Sequence, residues 1–260
     1  MSPNAPKPEH PKTAVYLAVV VPAYNEKERI LRTLQRLDEY YSGQSYTWSV
    51  LVVSDGSMDG TDGVVADFCK TRPLFSLDSY KPNRGKGHAV RRGMLKANGE
   101  IILFCDADLA TPQEETAKLL PFIEAGSDIA IGSRPLRESN LTKRQPWYRE
   151  MLGRVANKVI QVLAIRGIRD TQCGFKMFRR DAARDIFARC KMDGFSFDFE
   201  ALMIARDLGY TIAEVPIQWA HQEGSKVVLW RDLPKSFYDL IKLRLLGKGR
   251  RLRKREAEAS

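Results

Sequence analysis

The sequence predicts an α/β protein with a mostly parallel central sheet and helices on both faces. Three observations carry that expectation. Through residue 134, short apolar runs alternate with segments of helical periodicity in the order βαβαβαβαβ, the pattern of parallel strands joined by crossover helices. The first run, AVYLAVVVP at 14–22, is continuously apolar, as a strand covered on both faces should be. Polar clusters stand just past the strand ends: Tyr24-Asn25-Glu26, Ser54-Asp55-Gly56-Ser57, Asp106 with Asp108, and Gly132-Ser133-Arg134. In open sheets of this kind, ligands bind beyond the carboxyl ends of the strands.

The elements follow in order. After the first strand, Glu26 to Tyr41 carries Ile30, Leu31, Leu34, Leu37 and Tyr41 at three- and four-residue spacings, an amphipathic helix. WSVLVVSDGS is a second buried strand and TDGVVADFCK a second helix. FSLDSYKP is a weaker strand, leading through a glycine-containing loop into the helix GHAVRRGMLKA. EIILFCDAD is a strand, PQEETAKLLPFIEA a helix started by Thr111-Pro112, and SDIAIGSR a strand. Residues 146–165 read as a helix with Trp147, Met151, Leu152, Val155, Val159 and Val162 on one side. DTQCGFKMFRR is a loop running into a strand, DFEALMIARDLG a helix and YTIAEVPIQW a strand. Residues 231–260 form an amphipathic helix, with apolar residues at 233, 237, 240, 241 and 245, and a polybasic tail. Residues 1–13, Pro-rich and without an apolar core, read as a flexible tail and not a signal peptide. The globular domain is thus 14–230.

The bulk numbers narrow the class. The 260 residues are 43% hydrophobic, ample for one large core. No run reaches eighteen apolar residues, so no membrane span is expected. Four scattered cysteines without ligand-like spacing read as reduced, mostly packed thiols of a cytosolic protein. The net charge of +10 is concentrated: Lys242 to Arg255 carries eight Lys/Arg and no acid. Such an excess suits nucleic acid, anionic lipid or a phosphorylated substrate. Nucleic acid is disfavoured, because buried strands ending in acids repel phosphate chains.

Asp106 and Asp108 carry the strongest chemical signal. Alternation along a strand points residues two apart to one side, so both carboxylates would face one ligand. Mg²⁺ or Mn²⁺ suits one or two carboxylates completed by phosphate oxygens. In VVSDGSMDGT, Asp55 can accept a nucleobase N–H or merely form a turn, while Asp59 reads as a cap. KPNRGKGHAVRRG is basic and glycine-rich at a helix start, where free N–H groups favour anions, but it matches neither the P-loop nor the dinucleotide fingerprint. His88 within it reads as structural.

Together VVVPAYNEKERI, VVSDGSMDGT, NRGKGHAVRRGM, FCDADLATP, IGSR, DTQCGFKMFRR and FSFDFEALMIARDLGYTIAEVPIQW resemble a family-2 glycosyltransferase of the GT-A fold, over about residues 15–227. Within it they look like the polyprenyl- and dolichyl-phosphate glucosyltransferases and their mannosyltransferase relatives. The resemblance implies that Pro22, Tyr24, Asn25, Glu26 and Asp55 hold the nucleotide, and that Arg84 and Lys86 lie against its phosphates. It makes Asp108 a direct metal ligand, with Asp106 a ribose or metal contact. It places Arg134, Arg149 and Lys226 on the acceptor phosphate, and Gln172, Asp198 and Glu200 around the sugar. The wording NRGKGHAVRRG and DTQCGFK leans toward UDP-glucose, and His221 and Ala110 depart from the mannosyl branch. The implied reaction is inverting hexose transfer onto a lipid phosphate, by a chain held peripherally at the cytoplasmic face of a membrane. Alternatives are GDP-mannose or UDP-N-acetylglucosamine as donor, or a soluble acceptor.

Overall fold

A computed structural model describes residues 15–134, 140–143, 167–220 and Asp239 of the chain. The order is β1 (Leu17–Ala23), α1 (Lys27–Ser42), β2 (Trp48–Asp55), α2 (Thr61–Lys70), β3 (Phe75–Tyr80), α3 (Lys86–Lys96) and β4 (Ile101–Cys105). A 3₁₀ turn (Gln113–Glu115) leads into α4 (Thr116–Glu124), β5 (Ile129–Ser133) and β6 (Asn140–Lys143). Then come β7 (Phe175–Arg179), α5 (Arg180–Arg189), α6 (Phe197–Asp207), β8 (Ile212–Pro216) and β9 (Gln218–Ala220). The expected helix at 146–165, the N-terminal tail and the C-terminal basic helix lie outside the described residues.

The main sheet has the order β3-β2-β1-β4-β7-β5-β8. Strands β1 to β4 pair in parallel, Leu17 opposite both Trp48 and Ile101. Strand β7 enters between β4 and β5, antiparallel to both. The sheet remains mostly parallel, and β7 begins at the edge where β1, β2, β4 and β5 end. That insertion brings the DTQCG segment to the polar edge.

The two faces follow from strand alternation. Ala18, Val20, Ile102 and Phe104 pack against Ala89, Val90 and Met94 of α3 and against α5 and α6. Leu17, Val19, Val21 and Leu103 meet Ile30, Leu34, Leu37 and Tyr41 of α1 and Leu119 of α4. Helix α3 lies close because residue 93 is glycine: a Cβ there would stand 2.3 Å from Val20 Cγ1.

Three expectations shift in detail. The helix over 112–125 begins as a 3₁₀ turn capped by Pro112. The strand over 210–219 breaks at Ile217, and its last part, β9, pairs with β6 in a separate two-stranded sheet. Helix α5 is an addition, its signal being Ala182, Ala183, Ile186 and Phe187 on one buried face. The four cysteines are free thiols, all but Cys69 buried.

Candidate active site

Strand β4 ends at Cys105, so Asp106 and Asp108 lie on the turn beyond it. Strand alternation therefore does not align them, and other contacts do. The Asp106 N–H donates to Gly174 O at 3.1 Å, tying the turn to the start of β7. Thr33 Oγ1 of α1 donates to Ala107 O at 2.6 Å, and Ala220 N of β9 to Ala110 O at 2.8 Å. Asp108 Oδ1 accepts the Ala110 N–H at 3.0 Å. Among the described residues only Asn25 and Leu109 are non-glycines with left-handed backbone, φ 50° and 51°. Both sit on the polar edge, where strain of about 1–3 kcal/mol per residue tends to mark function. A Cβ at Gly174 would fall 2.0 Å from Asp106 Oδ2, so a larger residue there has to push the Asp106 carboxylate aside.

A chain of charges crosses this edge. Lys86, the first residue of α3, puts Nζ 2.6 Å from Asp106 Oδ1. Burial alone would lower its pKa, but Asp106, then Asp198 and Asp108, hold it above the ordinary lysine value. Burial, reinforced by the neighbouring Asp106, pushes the Asp108 carboxyl up. Behind them Lys176 of β7, fully buried, forms an ion pair with Asp198 of α6 and donates to Cys173 O at 2.5 Å. Burial raises the Asp198 carboxyl despite the pull of Lys176 and Lys86. The Phe104 ring centroid is 5.5 Å from Lys86 Nζ and 5.8 Å from Lys176 Nζ, within cation–π range of both.

Asp106 Oδ1, shut away from solvent, accepts no hydrogen bond in the structure, and Asp108 is penalised when ionised. Both conditions suit a hard cation. Among the described residues no three His, Cys, Asp or Glu converge. That donor set fits Mg²⁺ or Mn²⁺, which keep waters and substrate phosphates as further ligands.

On the other side of Lys86, Asp55 is buried and its acceptor positions are filled. Its Oδ1 accepts Tyr80 Oη at 2.8 Å and Arg84 N at 2.7 Å; Oδ2 accepts Asn83 Nδ2 and Gly85 N, both at 2.8 Å. The N–H groups of Arg84 and Gly85 in the glycine-rich loop are thus donated to the protein's own carboxylate, which ties that loop to the end of β2. The His88 N–H at the helix start donates to Asp193 O at 3.2 Å, and the His88 ring packs on Tyr80 beside Arg91 and Asp193. Burial holds the His88 pKa down, with Arg84 and Arg91 adding to it. Arg84 itself reaches Asp193 at 3.8 Å and is half exposed.

Pro22, buried in β1, lies past the last β1–β4 pair, Val20 with Phe104, so its missing N–H costs that ladder nothing. Tyr24 and Glu26 are half-buried at the edge, with Glu26 paired to Arg29. Asn25 clips the β1 end to the β2 end, donating N–H to Ser57 Oγ at 3.0 Å and accepting from Met58 N at 2.9 Å. Asp59 accepts from Thr61 N and Lys27 N, joining the starts of α2 and α1.

Three residues expected on the acceptor and sugar sides have partners within the protein. Arg134 is a fork on buried Asp170, Nε to Oδ2 at 2.7 Å and Nη2 to Oδ1 at 2.9 Å, and it stacks on Trp219. Asp198 is spent on Lys176. Glu200 accepts N–H from Lys191 and Met192, both of its oxygens turned to that loop. Gln172 is exposed at the edge, its N–H 3.3 Å from Asp170 Oδ1. Arg149 and Lys226 lie outside the described residues.

The Arg134–Asp170 fork has a measurable consequence. Burial would raise Asp170, but Arg134 outweighs it and holds the carboxyl below the ordinary range. A depressed carboxyl stabilises the fold above its unfolded pKa of about 3.9, and that contribution is lost as pH falls through the folded value. Arg134→Ala is expected to destabilise by about 3 kcal/mol at pH 7, leaving Asp170 unpaired. Asp170→Asn should lack the wild type's extra stability loss below about pH 4; denaturant titrations across pH measure both.

A cavity of about 350 Å³ opens on the α1 side of Asp108, lined by Arg29, Arg32, Thr33, Arg36 and Gln113 among others. These arginines, Lys176 and Asp170 are additions that the structure makes to the expected site. The arginines fall at helical spacing facing the turn, a signal present in NEKERILRTLQR. Lys176 carries none, since a lysine in an apolar strand gives no hint of its partner.

The structure thus gathers two carboxylates and a lysine at the carboxyl edge of a mostly parallel α/β sheet, the edge at which such sheets bind ligands. The family model for glycosyl transferase family 2 matches residues 18–187, and the chain belongs to that family and is a glycosyltransferase. A dolichyl-phosphate beta-glucosyltransferase of Trichomonas vaginalis is 38% identical over 240 residues, 88% of this chain and 73% of that one. The human protein of the same name is 34% identical over 249 residues, 88% and 75% of the two chains. Among solved structures, glucosyl-3-phosphoglycerate synthase from Mycobacterium tuberculosis with Mn²⁺, UDP-glucose and phosphoglyceric acid superposes with TM-score 0.65 at 17% identity, covering 92% and 81%. The architecture is thus the GT-A fold.

Proposed function

We propose that the chain transfers glucose from UDP-glucose to a polyprenyl phosphate of the dolichyl type, inverting the anomeric carbon. The observation that carries this reading is the similarity, over most of the chain, to relatives named dolichyl-phosphate beta-glucosyltransferase. Pro22, Tyr24, Asn25 and Glu26 hold the nucleotide, with Asp55 shaping the loop that carries Arg84 and Lys86. Asp108 and Asp106 hold Mg²⁺ or Mn²⁺, which neutralises the leaving diphosphate. Gln172 faces the sugar, and Asp198, steadied by Lys176, stands behind it. Arg149 and Lys226 take the acceptor phosphate.

A phosphate acceptor simplifies the acid–base problem. Its second pKa lies near 6, so the attacking oxygen is already anionic at neutral pH. That oxygen forms the new bond to C1 as the bond from C1 to the UDP oxygen breaks, and UDP leaves with the electron pair. No strong base is needed, and the protein's cations screen one phosphate from the other. The basic run from Lys242 to Arg255 holds the chain on an anionic membrane surface, each residue near it contributing about 1 kcal/mol. Among the described residues no helix is long and apolar enough to cross a membrane.

Incubation with polyprenyl phosphate and, separately, UDP-glucose, GDP-mannose and UDP-N-acetylglucosamine tests the donor. The expected lipid product is β-glucosyl phosphate from UDP-glucose alone. A mannosyl lipid from GDP-mannose instead would overturn the donor assignment.

A further inference from the structure

We infer that Lys86 is a built-in counter-ion that occupies the metal site's carboxylate until the nucleotide diphosphate draws it away. The inference rests on the reading above that Asp106 and Asp108 hold a divalent cation. Lys86 Nζ is 2.6 Å from Asp106 Oδ1, an ammonium–carboxylate pair at the end of a flexible stem. A divalent cation on the carboxylate pair competes for that same oxygen. The ammonium interacts with Asp106 first, then with Asp198 and Asp108, so it sits in the field of all three carboxylates. Lys176, by contrast, is locked by Asp198 and Cys173 O and cannot take over the task. The lysine stem is four carbons long and about a quarter exposed, and its Cα is fixed at the tip of α3. Gly85 and Gly87 pin that tip, since a Cβ on either would stand 2.4 Å from the carbonyl oxygen of Asp193 or Met192. The side chain can swing from Asp106 to a neighbouring anion while its backbone stays in place.

This makes metal and nucleotide binding mutually dependent. Without a diphosphate, a divalent cation must displace Lys86 from Asp106. With one, Lys86 has a second anion to pair with and Asp106 is freed. Coupling of this kind is reciprocal and amounts to about 5- to 150-fold in affinity. The device offsets part of the carboxylate charge in the empty enzyme and orders metal loading after nucleotide.

The test is a Mn²⁺ titration of the full chain, followed by electron paramagnetic resonance of the free ion, with and without UDP. Wild type is expected to bind Mn²⁺ weakly alone and more tightly with UDP. Lys86→Met should bind Mn²⁺ alone about tenfold more tightly than wild type, and UDP should add less. Lys86→Arg, which keeps the charge, should stay weak alone. Lys86→Gln, neutral and polar, serves if the methionine variant does not fold. Equal Mn²⁺ affinity of wild type and the neutral variants without UDP would overturn the inference while leaving the metal site standing. Wild type that binds UDP but no Mn²⁺ under either condition would remove the metal site, and the inference with it.

Discussion

Replacing Lys176 with methionine is expected to lower the unfolding free energy by about 3–5 kcal/mol, the cost of breaking a buried ion pair from one side. Lys176 and Asp198 are both buried, and they face each other across β7 and α6. Truncating the lysine leaves a buried carboxylate with its main counter-charge gone. For a chain of this size that is a fall of roughly 10 °C or more in melting temperature. The sign of its pH dependence separates this cause from lost packing. Burial already raises the Asp198 carboxyl. A carboxyl whose folded pKa lies above its unfolded value binds protons more tightly when folded, so stability falls as pH rises between those values. Lys176→Met should therefore lose less at pH 5 than at pH 8. Adding Asp198→Leu should recover most of the stability, because apolar replacement of a whole buried pair is often neutral. An equal loss at both pH values, or no recovery in the double variant, would show that Lys176 acts through its packing alone.

Asp108→Asn is expected to move stability and activity in opposite directions. In the metal-free protein at neutral pH, ionised Asp108 is opposed by burial and by Asp106. The amide removes that charge while keeping the shape and an oxygen to accept the Ala110 N–H. Melting temperature without metal should rise, and transfer should fall by about a hundredfold or more, the several kcal/mol that metal charge stabilisation supplies. The added protection that Mn²⁺ with UDP gives wild type in a thermal melt should shrink in the variant. A variant that melts lower than wild type and still gains the full Mn²⁺ shift would take Asp108 out of the metal site.

Much of the fold is legible in the residues because local periodicity and ligand edge agree. The helix at Thr61–Lys70 and the buried runs of β1, β2 and β4 follow from alternation and three- and four-residue spacings, which need no tertiary knowledge. The polar clusters after β1, β2, β4 and β5 meet on one edge because parallel strands share a direction. Local pattern cannot carry pairing across distance. Nothing in FKMFR says that β7 slips antiparallel between β4 and β5, and without that insertion Lys176, Asp170 and Gly174 have no place at the site. The same limit explains Asp55 and Arg134. Each has the residue type that grips a ligand, and each is held instead by residues about 30 positions away: the Tyr80–Gly85 loop and Asp170. Alternation alone would also extend the fourth strand through Asp108. The strand stops at Cys105 instead, and the turn bearing Asp106 and Asp108 takes its shape from Gly174, Thr33 and Ala220.

The most direct measurement of the central claim is the fate of radiolabelled glucose. The full chain, UDP-[¹⁴C]glucose and Mn²⁺ are incubated on anionic vesicles with and without polyprenyl phosphate, and the products are partitioned between organic solvent and water. Label should enter the organic phase as an acid-labile lipid phosphate, only when polyprenyl phosphate is present, and not in EDTA. Label confined to water whatever the lipid, or transferred equally well in EDTA, would contradict a metal-dependent transfer of glucose to a lipid phosphate.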